Sequence, residues 1–467
     1  MQVFTYSGAR FSPYGDEQRP GVSDSGDPRD DWLAPRATRP LAARVNLPGS
    51  KSLTNRELVL SALADGPSIL RRPLHSRDSM LMIEALRSLG VVIDEIAGDG
   101  AYGPDLRITP PVGLSGSTAV DCGLAGTVMR FLPPVAALAL GPVAFDGDEG
   151  ARRRPMRTTI DSLRALGVDV NDDGRGTLPF SLWGSGSVRG GEMAIDASAS
   201  SQFVSGLLLA APRFTDGLVL RHTGERLPSM PHIEMTIATL ADRGVVVESP
   251  KAGVWVVPAT AIAGRELTIE PDLSNAAPFL VAAIVAGGTV TVESWPRSTT
   301  QVGAELETLL PLFGASVRRN GDALVVDGGL GLLGGATLPG VNLDLSMGGE
   351  LAPALVALAA LASSPSTITG IGHLRGHETD RLAALAAEIS GLGGAVTELD
   401  EGLSIEPRPL RGAPWRAYED HRMATAGAII GLAVDGVLID DIGSTAKTLP
   451  QFTELWGGML DQTVAVP

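Results

Sequence analysis

Short polar turns alternate with apolar stretches along most of the chain. Six times a turn of small or polar residues runs into an Ala/Leu-rich segment. These turns are Gly49-Ser50-Lys51-Ser52, Leu124-Ala125-Gly126-Thr127, Ala199-Ser200-Ser201-Gln202, Leu273-Ser274-Asn275, Met347-Gly348-Gly349-Glu350 and Glu419-Asp420-His421-Arg422. Counted at positions 51, 126, 200, 275, 348 and 421, they stand 73–75 residues apart. A fixed period of this kind signals a repeated architecture. The segments that follow, such as 203–211 and 351–362, are apolar on nearly every side, which predicts buried helices. A second helix in each unit ends in Gly and passes into a β-like stretch, as in Leu89-Gly90-Val91, Leu166-Gly167-Val168, Arg243-Gly244-Val245, Phe313-Gly314-Ala315 and Leu392-Gly393-Gly394. Gly tolerates the positive φ of a helix C′ position, and the Val-rich runs predict strands.

The pattern therefore predicts an α/β protein of six βαβαββ units, three in each of two lobes of similar size. The polar turns fall at the N-termini of the buried helices, where N–H groups are free and the partial charge is positive. Two sets of three such ends facing each other make an anion site before any side chain is considered.

Composition narrows the picture. At 467 residues the chain exceeds one ordinary core, which agrees with two lobes. A formal net charge of -16 disfavours nucleic acid, whose binding needs a basic face. A lone cysteine, Cys122, excludes an internal disulfide and a multi-Cys metal site. No signal-like start and no uninterrupted apolar run of ~20 residues is present, so a soluble, cytoplasmic protein is expected. Residues 1–36 are expected to form a disordered or loosely attached tail, because 21–31 are rich in Asp, Ser, Gly and Pro without periodicity. Arg carries almost all the positive charge; the only lysines are Lys51, Lys251 and Lys447.

Charged chemistry recurs in the turns. Pro48-Gly49-Ser50-Lys51-Ser52 with Asn55-Arg56 opens a helix. It lacks the earlier Gly of a P-loop, but Lys and Arg flanking a helix start suit a carboxylate or phosphate. Arg152-Arg153-Arg154 follows an acidic, Gly-rich loop and is either a solvated cluster or a phosphate clamp. Glu378 and Arg381 stand three apart on one helix face, either an ion-paired turn or a carboxylate poised for proton transfer. Glu350 opens a buried helix, where an acid is favourable in any case. Asp420-His421-Arg422 and Thr445-Ala446-Lys447-Thr448 open the two helices of the sixth unit. No second His or Cys stands at ligand spacing to His421, so no metal is expected.

Taken jointly and in order, these motifs, with Ala-Gly-Thr-Val-Met-Arg at 125–130, Ser-Ser-Gln at 200–202 and Glu-Thr-Asp-Arg at 378–381, resemble the 5-enolpyruvylshikimate-3-phosphate synthase family. The resemblance runs from about Trp32 to the C-terminus. It implies a two-lobed inside-out α/β barrel with the active site in the cleft, lobe one holding 37–48 and 266–467 and lobe two 49–265. It implies transfer of the enolpyruvyl group of phosphoenolpyruvate to the 5-hydroxyl of shikimate-3-phosphate, with no cofactor, no nucleic-acid or membrane partner, and a monomer. By the same resemblance Lys51, Gly126, Arg154, Gln202, Arg381, Arg422 and Lys447 hold phosphoenolpyruvate. Lys51, Ser52, Arg56, Ser200, Ser201, Gln202, Ser229, Glu350 and His377 hold shikimate-3-phosphate, with Thr127 and His373 nearby and His421 supporting Arg422. The catalytic set is Glu350 as base, Glu378 as acid toward C3, and Lys51.

Several positions depart from the better-known form of the family: Leu124 for Asn, Phe131 for Pro, Glu350 for Asp, His377 for Lys and His232 for Tyr. The exchange at His377 turns a fixed ammonium into a group expected to titrate near pH 6.5. The nearest alternative is the enolpyruvyl transferase acting on UDP-N-acetylglucosamine. It usually carries a Cys in the loop matching 147–154, and this chain has none there. A non-catalytic anion-binding relative is the alternative of a different class.

Overall fold

The structure is a computed structural model and describes residues 31–98 and 100–464. Residues 1–30 of the expected tail lie outside the described residues.

Six inner helices start at the six predicted turns: Lys51–Ala62, Gly126–Ala136, Gln202–Ala210, Leu273–Ala286, Ala352–Ala360 after the 3₁₀ turn Gly349–Leu351, and His421–Gly431. All fourteen residues of Leu273–Ala286 and all nine of Ala352–Ala360 are buried. Each fully buried Leu or Val contributes roughly 1.5–3 kcal/mol, and the Ala positions between them let the helices lie close. The outer helices include Arg77–Ser88, Arg157–Ala165, Met230–Ala241, Arg381–Gly391 and Phe452–Asp461. In the fourth unit the outer helix shrinks to Leu306–Leu309 between two 3₁₀ turns. Pro311, in the second of those turns, lacks the N–H an α-helix would need.

The helices are wrapped by five four-stranded sheets and one three-stranded sheet. Three sheets share a layout drawn wholly from their own unit. Thr118–Asp121 pairs parallel with Leu140–Asp146, which pairs antiparallel with Phe180–Ser185, and that strand with Asp169–Asn171. A parallel pair needs a crossover, and the inner helix supplies it.

Buried apolar residues form two clusters, one from 34–47 and 273–459 and the other from 58–262. The chain passes between them twice, and the strands at those passages are traded. Leu41–Val45 completes the sheet of Gly288–Val292, burying Leu41, Ala43 and Val45 in alternation. Glu266–Thr268 pairs in parallel with Ser68–Arg71. Residues 266–268 thus belong with the second cluster's sheets, a correction to the boundary expected at 265/266. The cause is ladder pairing, Glu266 with Ile69 and Thr268 with Arg71, which leaves no local sequence signature.

The expected tail boundary also moves. Trp32–Leu33 pairs antiparallel with Leu438–Ile439 and stands in for the missing third strand of the sixth unit. Ala34 and Ala37 are buried, with Ala34 N–H donating to the Val437 carbonyl at 2.9 Å. Residues 31–36 are part of the folded body because an otherwise two-stranded sheet takes them up. No described helix is long and apolar enough to cross a membrane.

Candidate active site

Five of the six inner-helix starts converge on one cleft, lined from the second cluster's side by Lys51, Ser52, Gly126, Thr127, Arg154, Ser200, Ser201, Gln202, Ser229 and His232. From the other side come Glu350, His373, His377, Glu378, Arg381, His421 and Arg422. About 80 Å³ stays open between them. The sixth helix start reaches the cleft indirectly, through Ser274 Oγ, which donates to Glu350 Oε1 at 2.6 Å. Three of the starts, after Ala125, Ser201 and Gly348, carry no side-chain cap. Helix starts of this kind suit an anion, although the Gln202 N–H already donates to Ser200 Oγ at 3.2 Å.

Glu378 sits among three cations, Arg381, Lys447 and Arg154. Arg381 Nη2 donates to it at 2.9 Å, and Lys447 Nζ lies 3.5 Å away. Burial alone would raise its pKa, but Arg381, Lys447 and Arg154 together hold it well below the ordinary carboxylate value. Arg381 is itself fixed by buried Asp420, which accepts from Nε at 2.7 Å and Nη2 at 3.1 Å. At Glu350 burial likewise works upward and is overcome by His232, Arg422 and Ser274, so it too lies below its ordinary range. Arg422 Nη2 donates to Glu350 Oε2 at 3.1 Å.

Not every expected residue lines the cleft. Arg56 is buried beneath it, donating to the carbonyls of Ser52 and His232 and to Thr236 Oγ1 at 2.8–2.9 Å. Its guanidinium fixes two cleft segments, and burial lowers its pKa to about 9. Lys447 is 4% exposed and reaches across to the Leu124 carbonyl at 2.7 Å. The same carbonyl accepts from Arg154 Nη1 at 3.1 Å. Leu124 thus contributes its backbone, which a side-chain comparison does not register. In the 152–154 run only Arg154 points inward. Arg152 pairs with Asp146 and Arg153 with Glu149 at the surface. His377 does not keep an ordinary imidazole pKa: burial, reinforced by Arg381, pushes it well below 6.5, so it is neutral at physiological pH.

A family model described as EPSP synthase (3-phosphoshikimate 1-carboxyvinyltransferase) matches residues 35–456. The chain belongs to the EPSP synthase family. A 3-phosphoshikimate 1-carboxyvinyltransferase from Kocuria rhizophila is 55% identical over 448 residues, 95% of this chain and 99% of that protein. The solved EPSP synthase of Acinetobacter baumannii superposes with a TM-score of 0.72 at 24% identity, covering 92% of this chain and 97% of its own. An enolpyruvyl transferase of Streptomyces tendae gives 0.71 at 18% identity, over 92% and 98% of the two chains. These two likenesses show the two-lobed α/β fold.

Sequence reasoning missed one carboxylate beside this cleft. Asp78, 1% exposed, lies 3.4 Å from Lys51 Nζ and 3.3 Å from Lys447 Nζ, and so joins lysines from the two clusters. Its only local signal is the capping box of Ser76 and Ser79 around it, which reads as an ordinary helix start.

Proposed function

We propose that this cleft, closing between the two lobes, carries out the transfer of the 1-carboxyvinyl group of phosphoenolpyruvate to the 5-hydroxyl of shikimate-3-phosphate, with release of phosphate. The chain is a 3-phosphoshikimate 1-carboxyvinyltransferase of aromatic amino-acid biosynthesis. The observation that carries the residue assignment is the meeting of Lys51 and Arg154 from one side with Glu378, Arg381, Arg422 and Lys447 from the other. The five cations among them, only partly offset by Glu378 and the neighbouring carboxylates, suit a small polyanion.

Phosphoenolpyruvate lies among Lys51, Gly126, Arg154, Gln202, Arg381, Arg422 and Lys447. Lys51, Ser52, Ser200, Ser201, Gln202, Ser229, Glu350 and His377 face shikimate-3-phosphate, with Glu350 beside its 5-hydroxyl. Oriented cations stabilise the carboxylate and the departing phosphate in a water-poor site. Glu378 is ionised in the free protein. The charge of bound phosphoenolpyruvate offsets Arg381, Lys447 and Arg154, which raises the proton affinity of Glu378 and lets it carry a proton to and from C3. Lys51 stabilises the developing charge.

Phosphate release from the two substrates tests this reading. Turnover is expected with shikimate-3-phosphate and none with UDP-N-acetylglucosamine, and the reverse result would sink it. Gly126 offers a second check. A Cβ there would stand 3.0 Å from Arg154 Nη2 and 3.1 Å from both Arg130 Nη1 and Gln202 Oε1. Gly126→Ala is expected to cost about 1–2 kcal/mol of phosphoenolpyruvate binding, roughly a tenfold rise in its KM, with the KM for shikimate-3-phosphate little changed.

A further inference from the structure

Glu350 as sole base on the hydroxyl meets a difficulty in its own surroundings. Ser274 Oγ donates to Oε1 at 2.6 Å and Arg422 Nη2 to Oε2 at 3.1 Å. A carboxylate held ionised by such donors is a weak base, and general-base catalysis works best with an acceptor whose pKa is near the working pH. Imidazole is the side chain suited to that task.

One imidazole is in place. His232 Nε2 lies 3.7 Å from Glu350 Oε2. That is too far for a direct hydrogen bond, and it is a gap that one hydroxyl oxygen can bridge. The ring is 20% exposed and lines the cleft. It is held from behind. Ser229 takes a left-handed conformation, φ 53°, to start helix Met230–Ala241. The His232 carbonyl accepts from Arg56 Nη2 and Thr236 Oγ1, both at 2.9 Å. His232 comes from the second cluster's side and Glu350 from the first.

We propose that His232 and Glu350 form a proton-accepting pair, assembled only when the lobes meet, in which His232 Nε2 takes the proton of the 5-hydroxyl. The inference rests on the enolpyruvyl-transfer reading above. The hydroxyl O–H bond breaks as its oxygen bonds to C2, and C3 takes a proton from Glu378. Elimination returns the C3 proton to Glu378 and breaks the bond from C2 to the phosphate oxygen. The proton on His232 leaves through solvent with the released phosphate. Glu350, whose Oε2 lies 3.7 Å from Nε2, stabilises the transient imidazolium by its charge.

The titratable and charged groups facing His232 are Glu350 and Arg422 from the opposite lobe, His373 across the cleft and Arg56 beneath its backbone. Lys51, Glu378, Arg154 and Arg381 complete the charged lining, and His377 and His421 the titratable one. A group that must accept a proton in the reaction gives the pH–rate profile an acid limb.

The test is phosphate release by the full chain from shikimate-3-phosphate and phosphoenolpyruvate, at pH values from about 5.5 to 8.5, for wild type and His232→Gln. Calorimetry of shikimate-3-phosphate binding accompanies each. The glutamine keeps polarity but cannot carry the proton. The expected result is a fall in kcat of roughly 100-fold, loss of the acid limb, little change in shikimate-3-phosphate affinity, and partial rescue by added imidazole. A variant with near-wild-type kcat, a variant that keeps the acid limb, or one whose only defect is binding would overturn the pairing while leaving the transferase reading intact. A wild-type profile with no acid limb overturns it without any variant. Absence of wild-type turnover overturns the transferase reading and the pairing with it.

Discussion

Glu378→Gln is expected to lower kcat by ~10²–10⁴-fold while the protein still binds both substrates. The carboxylate is 7% exposed and in contact with Arg381 and Lys447. Glutamine matches its shape and can accept from Arg381, so the packing of helix Arg381–Gly391 survives. What is lost is the negative charge and the ability to gain and release a proton at C3. With that charge gone Arg381 and Lys447, still paired with Asp420 and Asp78, act more strongly on phosphoenolpyruvate, so its KM is expected to stay constant or fall. Steady-state phosphate release with calorimetry of shikimate-3-phosphate binding separates the two effects. A kcat within tenfold of wild type would remove Glu378 from the proton path.

Asp420→Ala is expected to destabilise the fold by about 3–5 kcal/mol. Asp420 is 0% exposed and grips Arg381 through two hydrogen bonds of 2.7 and 3.1 Å. It also caps helix His421–Gly431 by accepting from Arg422 N–H at 2.9 Å. Removing it strands a guanidinium that is 2% exposed and uncaps a helix that packs at the centre of the first cluster. Asp420→Asn keeps the cap and part of the pairing, so a smaller loss is expected. Thermal and urea melts give the comparison, and an alanine variant that melts with wild type would refute the assignment. Because Arg381 is then free to turn away, the phosphoenolpyruvate KM is also expected to rise in the alanine variant.

Much of the architecture was legible because its signals are local. The turn-to-helix steps predicted three inner-helix starts on the residue and two within two residues, and the fifth-unit helix begins four residues late, after a 3₁₀ turn; helix capping and all-round apolarity act over a few positions. The Gly residues predicted at helix C′ positions carry the required positive φ, 94° at Gly90 and 93° at Gly393 among them. The exchange of strands Leu41–Val45 and Glu266–Thr268 was not legible. Parallel pairing joins residues far apart in the chain, and the alternation within a strand does not name its partner sheet. Residues 31–36 read as tail for the same reason: their order depends on a strand end some 400 residues away, Trp32 against Ile439.

The sequence by itself determined the repeat, the two-lobed fold, the family, and which residue types crowd the polar turns. Only the tertiary structure decided what those residues do to one another. It turned Arg56 inward, split Arg154 from Arg152 and Arg153, brought Asp78 between two lysines, and made the Leu124 carbonyl a shared acceptor. It also set the proton affinities of Glu350, Glu378 and His377. The physical reason is that helix periodicity is written within a few residues, whereas the field at a buried charge is a sum over neighbours that folding gathers from the whole chain.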